Sequence, residues 1–214
     1  MPSRASAMSS YPKSAQSQAA IIAAATRVLA KKGYARTSLA DIAAEAEMSK
    51  GALHYHYPSK ESLVSKVLEN ALDTIAARTL AAWERGGGDP MESLRSAVRE
   101  LWHVRRARTD EVAVVADLLV QSLYDEQLQP KLASYYRFAA QQVNSILVPH
   151  LARFGLRPKV APELVPRILV GLLDGLAMQH YVDDSAIDDE ELAKAVEAMA
   201  TSLFEFAPLP PSEP

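Results

Sequence analysis

The residues best suited to binding chemistry lie together between positions 37 and 60 of the 214-residue chain. Lys50 and Tyr55 carry donors that can reach base edges or phosphate oxygens, and Gly51 leaves space for close approach of the backbone. Ser49 is placed to cap the second of two short helices. Two helix starts separated by a tight turn predict a helix-turn-helix whose second helix enters a nucleic-acid groove.

The spacing within this second helix sorts its side chains into an inner and an outer face. Leu53 and Tyr57, four residues apart, are expected to face inward toward the first helix of the motif. His54 and Tyr55 then point toward the duplex, and the hydroxyl and N–H groups near Ser38 suit a phosphate oxygen. An isolated lysine or tyrosine on a helix is usually only solvated, so the prediction depends on the whole set. The predicted DNA contacts are Thr37, Ser38, Lys50, Gly51, His54, Tyr55, His56 and Lys60.

The charge is distributed unevenly along the chain, although its net value is only −3. Residues 1–60 contain eight basic and three acidic side chains, a net charge of +5. Residues 61–214 contain fifteen basic and twenty-three acidic side chains, a net charge of −8. A basic N-terminal part beside an acidic remainder suits a module that meets phosphates joined to one that does not. Chance segregation of solvated faces would give the same asymmetry, so charge alone does not decide the function.

Hydrophobic residues recur at helical spacing through most of the chain, with no convincing strand or internal repeat. Caps mark the helix ends: Gly33 closes the first helix, Asp89 opens the fifth and Gly155 closes the seventh. The pattern predicts an all-α protein. Its helices are expected over about 14–32, from 38, over 50–57, 59–83, 89–108, 109–123, 129–154, from 162 or 165 to 182, and over 188–207.

The predicted helices divide into two domains with unstructured ends. Residues 14–60 form the helix-turn-helix, and residues 61–207 form a larger helical domain. Residues 1–13 are predicted to be a disordered arm, and the Pro-rich residues 208–214 a disordered tail.

The composition argues against several classes of protein. No apolar run approaches the roughly 18 residues that span a bilayer, and the N-terminus lacks the apolar core of a signal peptide. The chain has no cysteine, which excludes disulfides and thiolate metal sites. We therefore expect a cytoplasmic protein with no membrane partner, metal or other cofactor.

The sequence contains no motif that indicates an enzyme. It has no Gly-rich phosphate loop, no His-Glu-x-x-His motif and no cysteine nucleophile. His54 and His56 are two residues apart and would point to different faces of a helix, which argues against a metal-binding pair.

Residues 18–68 resemble the DNA-binding domain of TetR-family bacterial transcriptional regulators. In that family an amphipathic first helix ends in Gly-Tyr, and Thr-Thr or Thr-Ser leads into a short helix with Ile-Ala. This chain has Gly-Tyr at 33–34, Thr-Ser at 37–38 and Ile-Ala at 42–43.

The resemblance continues through the second helix of the motif. There the family has a small residue, Leu-Tyr-Tyr-His-Phe and a short polar turn with Lys, and this chain has the matching segment 51–60. The chain departs from the pattern at His54, where Tyr is more frequent, and at Tyr57, where Phe is usual.

The resemblance implies a ligand-responsive regulator, usually a repressor, that binds a near-palindromic operator as a homodimer. The segment 61–207 would then bind a small-molecule effector and form the dimer, and double-stranded DNA would be the other partner. The resemblance places Lys50, Gly51, Tyr55, His56 and Lys60 on DNA, with Thr37 and Ser38 on phosphates. The alternative is an architectural or division-associated DNA-binding protein of the same fold, controlled by a protein partner.

Two glycines four residues apart, Gly171 and Gly175, lie on one face of the eighth predicted helix. They would let another helix approach closely, so this helix and the last one could form a four-helix interface with their symmetry mates. These small residues could instead pack only within their own chain. The predicted dimer interface comprises Gly171, Gly175, Leu176, Leu192, Val196, Met199 and Leu203.

Bulky aromatic side chains with polar tips mark a predicted effector pocket in the second domain. An ordinary core uses the same residue types, so both interpretations stay open. The basic run Arg105, Arg106 and Arg108 would either hold an anion or be solvated. The candidate pocket residues are Trp102, His103, Leu119, Tyr124, Tyr135, Tyr136, Phe138, Gln142 and Met178.

Overall fold

The computed structural model describes residues 10–153, 155–184 and 188–206, and it confirms the all-α fold class. Helices and one short strand pair make up the regular structure of these residues. The elements are α1 (Ser10–Lys32), α2 (Leu39–Glu45), α3 (Lys50–His56), α4 (Lys60–Glu84), α5 (Pro90–Arg106), α6 (Asp110–Ser122), α7 (Gln129–Arg153), β1 (Leu156–Pro158), α8 (Leu164–Val182), α9 (Asp189–Ser202) and β2 (Phe204–Phe206).

Several helices begin and end at the capping residues that the sequence indicates. The Ser38 hydroxyl accepts from the Asp41 N–H at 3.1 Å, and the Asp41 carboxylate accepts from the Ser38 N–H at 2.9 Å. This reciprocal cap opens α2, while the Ser49 and Asp89 side chains cap α3 and α5. Gly33 ends α1 with φ 77°, the left-handed conformation that glycine adopts without strain.

α1 begins at Ser10, within the segment 1–13 that the sequence predicts to be disordered. Pro12 does not prevent this, because the N–H groups of a helix's first turn are unpaired anyway. The expected start of the first helix near residue 14 is therefore corrected to residue 10. Residues 1–9 and the predicted tail 208–214 lie outside the described residues.

A short strand pair departs from the expectation of helices alone. β1 and β2 run antiparallel with Arg157 opposite Glu205, and the Arg157 Nε donates to the Glu205 carboxylate at 2.9 Å. The last helix consequently ends at Ser202 instead of near residue 207. Strands of three residues are too short to show the alternating pattern that predicts a strand.

The helices pack into two compact units, and the division differs from the domain boundary expected at residue 60. The first unit contains residues 10–72 and 110–133, and the second contains residues 73–109 and the described chain from 134 onward. α6 belongs to the first unit because it packs against α1, which also contacts α2. Helical periodicity predicts that α6 exists but does not reveal which helix it packs against.

The second unit has a continuous hydrophobic core in which α5 packs against α8 and α9. Leu151, Leu173 and Ala200 are fully enclosed in it, and Trp102 is nearly so. Such burial removes apolar surface from water at a gain of about 25 cal/mol per Å².

Candidate nucleic-acid interface

α3 presents one face to solvent and anchors the other in the core of the first unit. Leu53 is fully buried and Tyr57 is 7% exposed, which confirms the predicted inner face. On the outer face Lys50 and His54 are exposed, and Tyr55 is 86% exposed. The helix therefore carries an ammonium, an imidazole and a phenol on one outward arc.

The exposed Tyr55 ring is supported by its neighbour in the sequence. His56 is half-buried, and its ring meets the Tyr55 ring edge-on with centroids 5.4 Å apart. A ring held from one side loses less conformational freedom when a partner binds it from the other. This arrangement suits Tyr55 to contact an external partner.

No close contact with the surrounding residues requires glycine at position 51. A Cβ at this position would lie 4.0 Å from the Ser49 Oγ, an ordinary van der Waals separation. Glycine inside a helix is about 1 kcal/mol less favourable than alanine. Its presence on the exposed face of α3 therefore favours a partner that approaches the backbone closely.

Thr37 and Lys60 face the interior of the first unit, which corrects the DNA contacts expected for them. Thr37 is buried, and its hydroxyl donates to the Gly33 carbonyl at 2.7 Å. The Lys60 ammonium donates to the Tyr34 and Thr37 carbonyls, the second at 2.8 Å, and lies 3.8 Å from the centre of the Tyr34 ring. Both side chains thus hold the turn between α1 and α2 in place.

Tyr34 is central to this turn, although the sequence indicates no role for it beyond the Gly-Tyr motif. Its ring is buried, and its hydroxyl donates to the Glu61 carboxylate at 3.4 Å. Burial raises the pKa of Tyr34 to about 12, and the charges of Glu61 and Asp125 add to the shift. Burial likewise lowers the pKa of Lys60. The position of Tyr34 just after the helix-ending Gly33 was the available signal.

The cap of α2 makes the structure of the motif sensitive to acid. Hydrogen bonds from the Lys32 ammonium, at 2.7 Å, and then from Ser38 hold the pKa of Asp41 far below its ordinary value near 4. A carboxyl whose pKa is lowered by folding contributes stability above its unfolded pKa, and this contribution is lost as the pH falls toward the folded value.

We therefore expect Asp41→Asn to destabilise the protein at pH 6, with the difference from wild type shrinking as the pH falls below about 4. Thermal unfolding followed by circular dichroism between pH 2.5 and 7 measures this difference. A difference that stays constant across this range would contradict the assigned role of the Asp41 charge.

Lys60→Met keeps the length of the side chain and removes its ammonium group. The Tyr34 and Thr37 carbonyls then lose their donor, and a buried acceptor without a partner costs about 1–3 kcal/mol. We expect the free energy of unfolding to fall by about 2–4 kcal/mol in urea denaturation. Lys66→Met is the matched control, since Lys66 is an exposed lysine of the same helix paired with Glu69. An equal loss in both variants would refute the role assigned to Lys60.

The predicted effector-pocket residues do not form one group. Trp102 is 4% exposed, and Tyr135, Tyr136 and Gln142 are half-buried in the second unit. The remaining predicted pocket residues lie at the surface or in the first unit. Helical spacing predicts which residues share one face of a helix, but it does not predict how deeply that face is buried. His103, Phe138 and Met178 are exposed, and Leu119 and the exposed Tyr124 belong to the first unit.

The buried Arg105 forms an ion pair with the partly exposed Asp174 in the second unit, where the sequence suggested an anion site or a solvated cluster. The Arg105 Nε donates to the Asp174 carboxylate at 2.7 Å, and the Tyr136 hydroxyl donates to the same carboxylate at 3.4 Å. The Tyr181 hydroxyl donates to the Arg105 carbonyl. Burial, assisted by the Asp174 charge, raises the pKa of Tyr136 above its ordinary value. Arg105 is therefore paired within the protein.

Several buried polar atoms of the second unit lack hydrogen-bond partners among the described residues. They include Trp102 Nε1, Asn144 Oδ1 and His180 Nδ1. The Trp102 and His180 rings meet edge-on with centroids 6.0 Å apart. Because an unpaired buried donor costs about 1–3 kcal/mol, atoms of this kind call for a partner such as a ligand or a water molecule.

The predicted dimer residues divide between the core and the surface. Leu192 and Val196 are buried in the core of the second unit, and Leu176 and Leu203 pack against it. Leu192 and Val196 are therefore corrected to core positions, whereas Leu176 and Leu203 are only partly buried and stay predicted interface residues. Gly171, Gly175 and Met199 are exposed, and a Cβ on either glycine would meet no atom within 4 Å.

The outer face of α8 carries a regular apolar stripe, of which the predicted dimer interface includes only the two glycines. Its members follow one another at intervals of four and three residues, the spacing with which one helix seats against another. Val182, at one end of the stripe, is 90% exposed. The stripe consists of Leu164, Ile168, Gly171, Gly175, Met178 and Val182.

Among the residues that the structure describes, no helix is both long and apolar enough to cross a bilayer. Within the same residues, no three His, Asp or Glu side chains converge as they would around a metal ion.

A capped helix-turn-helix with an exposed second helix, followed by further packed helices, defines the class of helical DNA-binding transcriptional regulators. Residues 21–67 match the family model described as bacterial regulatory proteins, tetR family. Residues 90–205 match the model described as BetI-type transcriptional repressor, C-terminal. The chain belongs to the TetR family, whose members are transcriptional regulators and not enzymes.

Curated relatives agree with this assignment. The chain is 33% identical over 99 residues to the HTH-type transcriptional regulator TtgR of Pseudomonas putida, a match that covers 45% of this chain and 47% of TtgR. It is 27% identical over 164 residues to the regulator BetI of Agrobacterium fabrum, covering 75% of each protein. The first of these matches thus spans about half of the relative's length.

Solved structures share the fold. A transcriptional regulator from Rhodococcus sp. Rha1 superposes with a TM-score of 0.70 at 26% identity, covering 87% of this chain and 95% of that one. A TetR transcription regulator from Haloarcula marismortui gives a TM-score of 0.69 at 21% identity, covering 89% and 100%.

Proposed function

We propose that this TetR-family protein is a cytoplasmic repressor that binds a near-palindromic operator as a homodimer and releases it when a small-molecule effector binds. The observation that carries the proposal is the exposed face of α3, with Lys50, His54 and Tyr55, on the opposite side of the helix from the buried Leu53. Its donors suit phosphate oxygens and base edges in a major groove. The proposed DNA contacts are Ser38, Lys50, Gly51, His54, Tyr55 and His56.

Thr37 and Lys60 stabilise the turn that precedes this interface and are not proposed to contact DNA themselves. Their hydroxyl and ammonium groups are engaged by carbonyls of the turn between α1 and α2. That turn leads directly into Ser38, the cap of α2. Both residues therefore act on operator binding through the placement of α2 and α3.

The apolar stripe on α8 supports the homodimer. An exposed apolar face of this regularity is unusual on a monomer and typical of a surface that another protein covers. The glycines at 171 and 175 leave the centre of the stripe without side chains, which permits a close helix–helix approach. A second copy seated about a two-fold axis would bury both stripes at once. Met199 on α9, 51% exposed, would extend this interface.

The unpaired polar atoms inside the second unit support the effector. Trp102 offers a buried N–H, and His180 a ring nitrogen beside it. A molecule with a hydrogen-bonding group and an apolar body would satisfy both while packing against aromatic rings. We place the effector site at Trp102 and His180, with Asn144, Tyr135 and Gln142 of the same unit as further candidates.

Selection of duplexes from a random DNA pool tests the proposed function. We expect a near-palindromic sequence whose half-sites lie about one helical turn apart. Its affinity should exceed that of a scrambled duplex by about 1,000-fold or more at physiological salt. A preference below about tenfold would leave the non-specific electrostatic binding of a basic surface and refute the proposal.

A screen of small metabolites against the selected duplex tests the effector. By linkage, a molecule that binds the free protein more tightly must weaken DNA binding by the same factor. We expect such a molecule to raise the melting temperature of the free protein. DNA release by a protein partner alone would favour the architectural alternative.

A further inference from the structure

Two ring nitrogens, one on α5 and one on α8, lack a hydrogen-bond partner among the described residues. Trp102 Nε1 belongs to a side chain that is 4% exposed, and His180 Nδ1 belongs to a half-buried one. The two rings meet edge-on with centroids 6.0 Å apart, so one small molecule can reach both nitrogens. Because an indole N–H can only donate, the group that binds Trp102 must be an acceptor.

The neighbouring polar groups of the same two helices are paired with one another. Arg105, one turn after Trp102 on α5, holds the Asp174 carboxylate at 2.7 Å. The hydroxyl of Tyr181, the residue after His180, donates to the Arg105 carbonyl. The two unpaired nitrogens are therefore an exception where α5 packs against α8. A ligand that pairs with a buried donor recovers the roughly 1–3 kcal/mol that the unpaired donor costs.

The charges at this contact favour an uncharged ligand group over an ionised one. An ammonium group has no acceptor to offer the Trp102 N–H. A carboxylate has one, but the Arg105 guanidinium that could neutralise it already holds Asp174. Burial of an unpaired charge is costly, so a carbonyl oxygen without net charge is the acceptor that fits. In a carboxamide, the N–H beside this oxygen can also donate to a histidine ring nitrogen.

We propose that this site takes a ligand with an uncharged carbonyl group, for which a carboxamide is the best match. The carbonyl oxygen accepts from Trp102 Nε1, and the second polar atom of the group bonds to His180 Nδ1. This inference rests on the proposed effector site and names the chemical class that the site selects. Trp102 discriminates against amines, because a ligand without an acceptor leaves its buried N–H unpaired.

Matched probes that share an apolar body and differ in the polar group test this class. They are benzamide, benzoate and benzylamine, and octanamide, octanoate and octylamine, each titrated into the full chain by calorimetry. We expect at least one amide to bind about tenfold or more tightly than the carboxylate and the amine of the same body. Tighter binding of a carboxylate or an amine, or no binding of either amide, overturns the inference.

The chain has two tryptophans, which allows a site-specific readout by nuclear magnetic resonance. With isotope-labelled indole nitrogens, the Trp102 N–H signal is assigned by its absence in Trp102→Phe. We expect this signal to move downfield when the amide binds, as a new hydrogen bond requires. Trp83 lies in the same core and is the internal control, whose signal should stay in place. An amide that binds without moving the Trp102 signal overturns the inference.

Trp102→Phe keeps an aromatic ring and removes the donor, and Trp83→Phe is the matched control. We expect the preference for the amide over the amine to fall to less than about threefold in Trp102→Phe and to persist in Trp83→Phe. An unchanged preference in Trp102→Phe overturns the inference. If this variant does not fold, as circular dichroism would show, the shift of the Trp102 signal in the wild-type protein decides alone.

Release of the selected duplex separates this inference from the proposed function. An amide that binds at Trp102 without releasing the duplex supports the ligand class and refutes the effector role of the site. Release by an amine, with no effect of the matching amide, overturns the inference and leaves the proposed function standing.

Discussion

Tyr55→Ala is expected to abolish most of the operator affinity while leaving the fold intact. Tyr55 is 86% exposed, so truncation removes little internal packing and should change the free energy of unfolding by less than about 0.5 kcal/mol. One lost DNA contact costs about 1–3 kcal/mol, and a homodimer loses two. Operator affinity should therefore fall by about 30-fold or more in a fluorescence anisotropy titration.

Tyr57→Ala is the matched control, two residues along the same stretch of chain. Tyr57 is buried, so its truncation should lower the free energy of unfolding by about 3–5 kcal/mol, as large aromatic deletions in a core do. The two tyrosines thus separate DNA recognition from folding. Loss of stability or of the dimer in Tyr55→Ala would mean that Tyr55 is a structural residue.

The helix-turn-helix could be predicted from the sequence because its determinants are local. Ser38 with Asp41, and Ser49, mark the starts of α2 and α3 through side-chain bonds to backbone three residues away. The four-residue spacing of Leu53 and Tyr57 then decides which arc of α3 faces outward. Each of these signals acts within one or two helical turns.

The supporting contacts of the same motif could not be predicted because they join distant residues. Lys60 lies 26 residues from the Tyr34 carbonyl that it holds, and Asp117 lies 83 residues from the Tyr34 N–H. A lysine or aspartate at the surface of a helix has the same local pattern whether it meets water, a phosphate or a remote turn. The chemistry of each residue was therefore visible in the sequence, but its partner was not.

The predicted dimer residues illustrate a related limit. Apolar residues at helical spacing identify a buried face, and in α8 and α9 that face serves the chain's own core. Gly171 and Gly175 belong to the opposite face, where the structure leaves open space. Hydrophobic residues therefore do not by themselves distinguish a candidate dimer surface from the core. The face of the helix on which they lie makes that distinction.

Gly175→Leu is expected to stabilise the monomer and weaken the dimer, two effects of opposite sign from one change. Within one chain the new side chain meets no atom within 4 Å of its Cβ, and leucine exceeds glycine in helix propensity by about 0.8 kcal/mol. In a two-fold interface each change appears twice, and overpacking costs about 1–3 kcal/mol per site. The dimer dissociation constant should therefore rise by about 30-fold or more in sedimentation velocity.

Ala81→Leu is the control, since it adds a similar side chain at an exposed position of α4. This variant should dimerise as wild type does. The weakened Gly175→Leu dimer should also lose operator affinity. In a dimer, binding of one half-site holds the second chain at a high effective concentration near the other half-site, and separate chains lose this gain. If Gly175→Leu instead dimerises normally and binds operator normally, the stripe on α8 is not the dimer surface. Loss of operator binding in an intact dimer would place Gly175 in the transmission of effector binding and exclude it from assembly.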